Sequence, residues 1–430
     1  MIKYNVLVYP CSSGIGIEIY NSLKNNKEIN LYGLNLNKKS RGYYLYNNYQ
    51  EFIKYNDSNF NQKLKEFIKT NNINTIIPAD DNSVFIFKEL EKELSIKVIT
   101  SDVETSKIAR SKKDTYNKLK DIIKVPKLFN YDDTINFPVF IKPDKGAGSV
   151  DSYKINDQEE LKKKYTKEHI ICEYLPGEEF TIECLTDKNK KLICCIPRQR
   201  TIVSNGLSIG TKIITDNDNK IYEMGKKINN TLSFKGSWFF QVKYNINNEL
   251  NLLEISTRLP GASNIIRNYG INMTLLSIYI HFNKDVKLLS FKNRINDLST
   301  LKIYKNYYDV NFIFNNLYVD FDDTLILKDK VNLDIIELIY KCLNKNKKIY
   351  LITRHKGNLN DTLYKYRISE KLFDEIIHIK SDEPKSKFIK NDSLFVDDSF
   401  QERNDVNNNE KNIMTFDPDS IEILLNNKYI

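Results

Sequence analysis

Two aspartates separated by one residue stand at the end of an apolar run in the second half of the chain. The run reads L-Y-V-D-F-D-D-T-L-I (317–326), and the spaced pair is Asp320 and Asp322. In an extended chain both side chains point the same way, so one carboxylate can act as a nucleophile while the other transfers a proton. The alternative is a strand end with solvated acids. The pattern favours phosphoryl chemistry.

Three later segments also place polar side chains where an apolar run ends or a loop follows. They are Thr353 in Y-L-I-T-R-H (350–355), Lys385 or Lys387 in D-E-P-K-S-K-F-I (382–389), and Asp397 and Asp398 in L-F-V-D-D-S (394–399). Aspartate pairs at strand ends can serve as caps, but four ordered sets of this kind point to one shared site. Hydroxyl, ammonium and carboxylate groups together suit a phosphate and a divalent cation.

A second group of candidate residues lies in the first half of the chain. The stretch P-V-F-I-K-P-D-K-G-A-G-S-V (138–150) predicts a strand that carries Lys142, followed by a loop with Gly146, Gly148 and Ser149. Glycine allows backbone N–H groups to turn toward a phosphate, and the lysine adds a positive charge. An ordinary hairpin turn is the alternative for this loop.

Two further segments extend the candidate nucleotide site. I-C-E-Y-L-P-G-E-E-F-T-I-E (171–183) reads as two strands around a short hinge, whose backbone could contact a base while a carboxylate contacts a ribose. Gln241 and Glu254 lie on segments that read as neighbouring antiparallel strands, and their oxygens suit Mg²⁺. Arg258 is predicted to continue the strand of Glu254 and to face the same side.

Residues 1–290 resemble the ATP-grasp superfamily, especially its carbamoyl-phosphate-synthetase-like branch. The resemblance implies binding of the ATP phosphates by Lys112 (with Lys113 as the alternative) and Lys142, and Mg²⁺ ligation by Gln241 and Glu254. The other residues that it implies are Glu173 and Leu175 at the adenine, Glu179 at the ribose, Arg198 and Arg200 near phosphate and substrate, and Arg258 over the transferred phosphoryl group or the substrate acid. Ser256 stands where the family often has an asparagine, which puts the second metal position in question.

Residues 312–430 resemble the haloacid-dehalogenase (HAD) superfamily of phosphatases. The resemblance implies Asp320 as the nucleophile that forms an aspartyl phosphate and Asp322 as the general acid and base. It further implies phosphate binding by Thr353 and Lys385, and a Mg²⁺ site formed by the carboxylates Asp320, Asp322, Asp397 and Asp398. Because the segments between these motifs are short, the domain has no room for a large cap.

The hydrophobic pattern predicts the elements that must position these residues. Residues 1–105 alternate apolar strands with helical periodicity, which predicts a parallel sheet, and the strands of 106–300 are longer and often paired. Residues 301–315 read as a linker, and 316–430 read as a further α/β unit. The predicted fold class is α/β and α+β: a three-part ATP-grasp module, with an N-terminal parallel-sheet layer and a two-lobed grasp, before a capless, Rossmann-like HAD domain.

Composition excludes several classes of protein. Hydrophobic residues make up 41% of the chain, which excludes global disorder. The net charge of +9 comes from scattered lysines and does not favour a nucleic-acid partner, although it suits an anionic substrate. No apolar run approaches the roughly 20 residues that span a bilayer, and six cysteines without a C-x-x-C pair read as reduced thiols. We therefore predict a soluble, cytoplasmic protein without a membrane partner.

The leading interpretation is a bifunctional enzyme that uses ATP and Mg²⁺, with Mn²⁺ as a substitute. Its first part would join a small-molecule carboxylate to an amine through an acyl phosphate and release ADP, and its second part would dephosphorylate a metabolite. A homo-oligomer is compatible with the sequence. One alternative is a small-molecule kinase combined with a phosphatase, and another is a non-catalytic nucleotide-binding protein with degenerate sites.

Overall fold

The computed structural model describes residues 2–146, 148–204, 206–216, 218–288, 298–303, 305–409 and 412–430, and for Leu207 the backbone only. The chain divides into two compact units, Met1–Ile303 and Tyr304–Ile430. In the described ranges, no helix is both long and apolar enough to cross a membrane.

The first unit begins with a parallel sheet in which strands and helices alternate along the chain. Its elements are β1 (Tyr4–Tyr9), α1 (Gly14–Leu23), β2 (Ile29–Asn35), α2 (Arg41–Leu45), β3 (Asn48–Glu51), α3 (Phe60–Thr70), β4 (Thr75–Pro78), α4 (Asp81–Leu94) and β5 (Lys97–Val98). The strand order is β3-β2-β1-β4-β5, and every neighbouring pair is parallel. Strand β5 ends at Val98, and beyond it the Thr100 hydroxyl donates to the carbonyl of Thr257 (2.8 Å).

Two helices and a small antiparallel sheet come next. They are α5 (Val103–Arg110), α6 (Lys112–Leu119), β6 (Leu128–Phe129), β7 (Val139–Pro143), β8 (Tyr153–Ile155), α7 (Gln158–Lys164) and β9 (His169–Glu173). The sheet has the order β6-β9-β7-β8. Ser111 separates α5 from α6, and its hydroxyl accepts from the backbone N–H of Asp114 (3.1 Å), which caps the helix that carries Lys112.

A six-stranded antiparallel sheet completes the first unit. Its elements are β10 (Glu179–Thr186), β11 (Leu192–Ser204), β12 (Leu207–Ile213), α8 (Lys220–Thr231), β13 (Gly236–Tyr244), β14 (Leu250–Ser256), α9 (Asn264–Asn268), α10 (Met273–His281) and β15 (Ser299–Leu301). The strand order is β14-β13-β10-β11-β12-β15. One face is closed by α8 and by the buried rings of Phe234 and Trp238, which stack with centroids 3.8 Å apart. On the opposite face, Leu185 and Cys194 pack into a second core cluster with α1, α9 and α10, and the polar side chains of Gln241 and Glu254 line a cleft.

The second unit is a parallel sheet flanked by helices. Its elements are β16 (Asn316–Val319), β17 (Ile326–Leu327), β18 (Lys330–Val331), α11 (Leu333–Leu343), β19 (Lys348–Thr353), α12 (Leu359–Lys365), β20 (Glu375–His378), β21 (Ser393–Val396), α13 (Phe400–Asn407), β22 (Ile413–Phe416) and α14 (Glu422–Leu425). The order of the sheet is β20-β19-β16-β21-β22, and β17 and β18 form a separate hairpin. In the segment predicted as a linker, Tyr308 bridges to Asn427 and Asn315 donates to Asp392 (2.8 Å).

Candidate active sites

Most of the predicted nucleotide-binding residues line one cleft, which is bordered by strands of both antiparallel sheets. The small sheet and its adjoining helix and loops contribute Lys112, Lys142, Gly146, Gly148, Ser149, Glu173 and Leu175. The six-stranded sheet contributes Glu179, Arg200, Gln241 and Glu254. The structure thus brings together residues that are far apart in sequence, and it leaves Arg198 and Arg258 outside this cleft.

Lys112 is a buried cation at one end of the cleft. Its Nζ donates to the carbonyl of Gly146 (3.2 Å) and lies 4.0 Å from the Glu254 carboxylate. Burial lowers the pKa of Lys112, and Glu254 partly opposes this effect. Lys113, the alternative candidate, has an exposed side chain outside the cleft, so Lys112 is the one of the two that lines the cleft.

Lys142 lies on β7 in the interior of the cleft. Its Nζ donates to the Tyr116 hydroxyl (2.9 Å) and to the carbonyl of Leu253 (3.3 Å). Burial lowers the pKa of Lys142, but its polar and acidic neighbours, Tyr116 first, outweigh burial and raise the pKa overall. The lysine therefore keeps its charge at neutral pH, as phosphate binding requires. Tyr116 was not among the predicted residues.

Gln241 and Glu254 stand directly opposite each other on β13 and β14, as the sequence predicts. The Gln241 amide nitrogen donates weakly to the Thr181 hydroxyl (3.4 Å), and this contact uses no oxygen of Gln241. An amide oxygen and a carboxylate facing one cleft fit Mg²⁺, which takes oxygen ligands and completes its shell with water and phosphate oxygens.

Arg258 does not continue the strand of Glu254, contrary to the prediction. Strand β14 ends at Ser256, and the Arg258 guanidinium donates to both oxygens of Asp81 (2.9 and 2.7 Å). The Ser256 hydroxyl donates to the same carboxylate (3.0 Å). Burial raises the pKa of Asp81, but Arg258, Arg110 and Ser256 together outweigh burial and lower the pKa overall, so the carboxylate stays ionised. Asp81 thus binds both Ser256 and Arg258, the two side chains whose roles the sequence left open.

Arg198 also lies elsewhere than expected. Its Nε donates to Glu183 Oε1 (2.8 Å), and both side chains are almost completely buried. Arg200, two residues along β11, lines the cleft, pairs with Glu179 and donates to the carbonyl of Gly206 (2.7 Å). Both arginines share one face of the strand, but the buried carboxylate of Glu183 captures Arg198. The expected role of Arg198 at the phosphate is not supported by its position.

In the second unit, the predicted polar residues converge at the carboxyl edge of the sheet. Lys385 is buried, and its Nζ donates to Asp320 Oδ1 and Asp397 Oδ2 (2.6 Å each). Burial raises the pKa of Asp320 to about 7, Lys385 opposes this shift, and Asp397 adds to it. Lys387, the alternative to Lys385, is exposed and pairs with Glu383.

Three carboxylates at this edge could hold a metal ion. In the described part of the chain, oxygens of Asp320, Asp397 and Asp398 lie within 4.8 Å of one another. Asp322, which was expected among the metal ligands, lies outside this group, because it accepts from His355 Nδ1 (2.9 Å) instead. The set of oxygen donors fits Mg²⁺.

The remaining predicted residue of this site is Thr353, which is buried at the end of β19. Its hydroxyl oxygen accepts from the backbone N–H of His355 (3.0 Å). His355 lies in the segment Y-L-I-T-R-H, but its local sequence indicates no role. A histidine two residues after a strand does not by itself indicate contact with an aspartate in the loop after another strand.

Comparison with known proteins finds a family match and several structures of similar fold for the first unit. Residues 165–299 match a family described as "ATP-grasp in the biosynthetic pathway with Ter operon", and no curated protein sequence matches this chain. The biotin carboxylase domain of Hydrogenobacter thermophilus 2-oxoglutarate carboxylase, solved with MgADP, ADP and bicarbonate, has a TM-score of 0.56 and 14% identity over 67% of this chain and 71% of that chain.

Two further solved structures are similar to the same extent. Biotin carboxylase from Campylobacter jejuni, in a β-γ-ATP complex, has a TM-score of 0.57 and 14% identity, over 69% of this chain and 73% of its own. N5-carboxyaminoimidazole synthetase from Staphylococcus aureus, complexed with ADP, has a TM-score of 0.56 and 15% identity, over 66% and 79%. At these identities the similarity is one of fold.

Proposed function

We propose, from the premise that the first unit contains an ATP-grasp domain, that this unit is an ADP-forming ligase. It joins a small-molecule carboxylate to an amine and uses ATP with Mg²⁺. The similar structures solved with ADP or MgADP support the choice of nucleotide. The six cysteines are free thiols, five of them buried, which supports a cytoplasmic setting.

The observation that carries this proposal is the convergence of two lysines, a glycine loop and a facing pair of oxygen ligands in one cleft. Lys112 and Lys142 neutralise phosphate oxygens, and the glycine loop lets backbone N–H groups approach them. Gln241 and Glu254 would hold Mg²⁺, which supplies positive charge to the phosphates. The substrate carboxylate then attacks the γ-phosphorus, ADP leaves, and the amine displaces phosphate from the acyl phosphate.

The experiment that tests the ligase is a screen of acids and amines for ADP release by the purified full-length protein with Mg²⁺. A ligase releases ADP and phosphate only when both an acid and an amine are supplied. A kinase would release ADP with one acceptor and yield a stable phosphorylated product. AMP as the product would contradict both assignments.

For the second unit we propose an aspartyl-phosphate phosphohydrolase that acts on a phosphorylated metabolite. Asp320 attacks the phosphorus atom, and Asp322, placed by His355, protonates the leaving oxygen and then activates water. Lys385 binds between the two buried carboxylates Asp320 and Asp397 and lowers the electrostatic cost of bringing a phosphate beside them. The convergence of these side chains at one sheet edge supports this activity.

Asp320→Asn tests the phosphatase. We expect no detectable hydrolysis of p-nitrophenyl phosphate, because an amide cannot form the aspartyl phosphate. The matched control is Asp323→Asn, which removes the same charge from the same loop at a left-handed φ of 56° that asparagine also adopts. Hydrolysis that survives in Asp320→Asn but not in the control variant would refute the assignment.

A further inference from the structure

A small cavity adjoins the nucleotide cleft at its Lys112 end. It shares Lys112, Gly146 and Glu254 with the cleft, and Arg110 and Arg258 also line it. The cavity is therefore lined by three cationic side chains, Arg110, Lys112 and Arg258. Their other contacts determine which of them can bind a further anion.

Arg258 is already neutralised within the protein. Its guanidinium forms a bidentate pair with Asp81, which also accepts from the Ser256 hydroxyl. A bidentate arginine–carboxylate pair is among the strongest polar contacts in proteins, and breaking it leaves a buried charge uncompensated. Arg258 is thus poorly suited to bind the transferred phosphoryl group.

Arg110, the last residue of α5, contacts only neutral oxygens. Its Nη1 donates to the carbonyl of Gly146 (3.3 Å) and its Nη2 to the side-chain oxygen of Asn82 (3.2 Å). Among the described residues it forms no ion pair, although the Asp81 carboxylate, which Arg258 binds, is near enough for Arg110 to help lower its pKa. Asn82 and Gly146 hold the guanidinium in place through hydrogen bonds to neutral oxygens.

Arg110 and Lys112 donate to the same carbonyl oxygen, that of Gly146. A carbonyl oxygen carries only a partial negative charge. Two full positive charges beside it therefore leave an excess of positive charge at this point. Lys142 adds a third charge, and both it and Arg110 lower the pKa of Lys112, although less than burial does. Glu254 and Asp144 oppose the positive charge at Lys112, and Asp81 lies near Arg110, but Glu254 would share its charge with Mg²⁺ and Asp81 is bound by Arg258. The excess favours a multiply charged anion.

We propose that Arg110 binds the γ-phosphoryl group of ATP as it is transferred, which is one of the two roles that the family resemblance implied for Arg258. The inference rests on the proposed function of the first unit. Arg110 donates from a planar guanidinium, which suits phosphate oxygens, and it stands beside Lys112 at the end of the cleft that the glycine loop borders. Asp81 would then act by holding Arg258 in an ion pair, so that Arg258 does not bind the phosphoryl group.

The test compares two nucleotides by isothermal titration calorimetry of the full-length protein with Mg²⁺. AMPPNP carries a γ-phosphoryl group and ADP does not. We expect Arg110→Gln to weaken AMPPNP binding by about 10- to 100-fold, as the loss of a charged hydrogen bond predicts, and to change ADP binding by less than about 3-fold. Arg110→Lys keeps the positive charge but lacks the paired N–H donors of the guanidinium. Its affinity for AMPPNP should lie between those of the wild type and Arg110→Gln.

Lys113→Gln is the matched control, because it removes one positive charge nearby from a side chain outside the cleft. It should change the AMPPNP-to-ADP affinity ratio by less than about 3-fold. An equal effect of Arg110→Gln on both nucleotides, or no effect, would overturn the inference. If that variant does not fold, the ratio measured for Arg110→Lys decides. A wild-type protein that binds neither nucleotide would defeat the proposed function itself, and this inference with it.

Discussion

Arg198 and Arg200 show how two arginines on one strand face can differ in function. Arg198 is 2% exposed and paired with Glu183, which has no exposed surface. Arg200 faces the nucleotide cleft. Removing one partner of a buried ion pair leaves the other charge without compensation, which costs far more than the loss of an exposed pair. We therefore assign Arg198 to stability and Arg200 to the site.

Arg198→Met should destabilise the first unit by about 3–5 kcal/mol, because it leaves Glu183 buried and unpaired. Trp238 is the single tryptophan and is buried in this unit, so its fluorescence during urea unfolding reports the change. The double variant Glu183→Gln, Arg198→Met should recover part of the loss. A variant with unchanged stability but weakened ADP binding would show that Arg198 belongs to the nucleotide site.

His355→Gln should lower phosphatase kcat by about 10- to 100-fold and change KM little, since His355 orients Asp322 and does not replace it. The kinetics of p-nitrophenyl phosphate hydrolysis measure both constants. His378→Gln is the control, because its side chain contacts only the backbone carbonyl of His355 (2.8 Å). Equal losses in both variants would indicate a structural effect on the loop and not an effect on Asp322.

Individual site residues were predictable where chemistry restricts the residue type within one segment. Lys142 and Asp320 could be recognised because each stands at the end of an apolar run with glycines or a second aspartate beside it. The pairs Arg258–Asp81 and His355–Asp322 join segments far apart in sequence, and no local pattern states which partner an arginine or a histidine takes.

At the scale of elements, the hairpin of β13 and β14 was predictable and its end was not. The Asn-rich turn sets the register that pairs Tyr244 with Leu250, and a β-bulge between Val242 and Gln241 then shifts the pairing by one residue and places Gln241 opposite Glu254. The apolar pattern continued past Ser256, but Asp81 binds both Ser256 and Arg258 there. A tertiary contact of this kind overrides the local strand pattern.

The helix α10 is held to the loop after β5 by a buried histidine. His281 Nδ1 lies 2.8 Å from the carbonyl oxygen of Ser277, and its Nε2 lies 2.9 Å from that of Thr100. Burial lowers the pKa of His281 to about 4, and the two carbonyl contacts only partly oppose it. In the unfolded chain the pKa is near 6.5, so only the unfolded chain binds this proton between pH 6.5 and 4.

The first unit should therefore lose about 3 kcal/mol of stability through His281 as the pH falls from 6.5 to 4, and keep that contribution above 6.5. Urea unfolding followed by Trp238 fluorescence at several pH values measures this slope. His281→Gln removes the titrating group, so its stability should fall less steeply across the same range. Parallel slopes for the two proteins would show that other groups account for the pH dependence.

At the scale of the whole molecule, each unit has its own core and its own candidate site. The nucleotide cleft lies entirely on residues of the first unit, and the aspartate cluster lies entirely on residues of the second. The division into units with a parallel sheet in each could be predicted, because strands and helices alternate at both places in the sequence.

Lys142→Met should lower the rate of ATP-dependent ADP release by at least about 100-fold, because it removes a positive charge that stabilises the transferred phosphoryl group. Hydrolysis of p-nitrophenyl phosphate by the same full-length variant should stay at the wild-type rate. Assays of both activities on one preparation provide the measurement. A parallel loss of both would mean that the second site depends on the first.

In both parallel sheets the strand that comes first in the chain ends up in the middle. Strand β1 is flanked by β2 and β4, and β16 is flanked by β19 and β21. During synthesis on a ribosome, β16 emerges early but cannot gain its second neighbour until the chain has passed Val396. Asp397 follows Val396 directly, so the buried group of Asp320, Lys385 and Asp397 can be completed only after most of its unit has been synthesised.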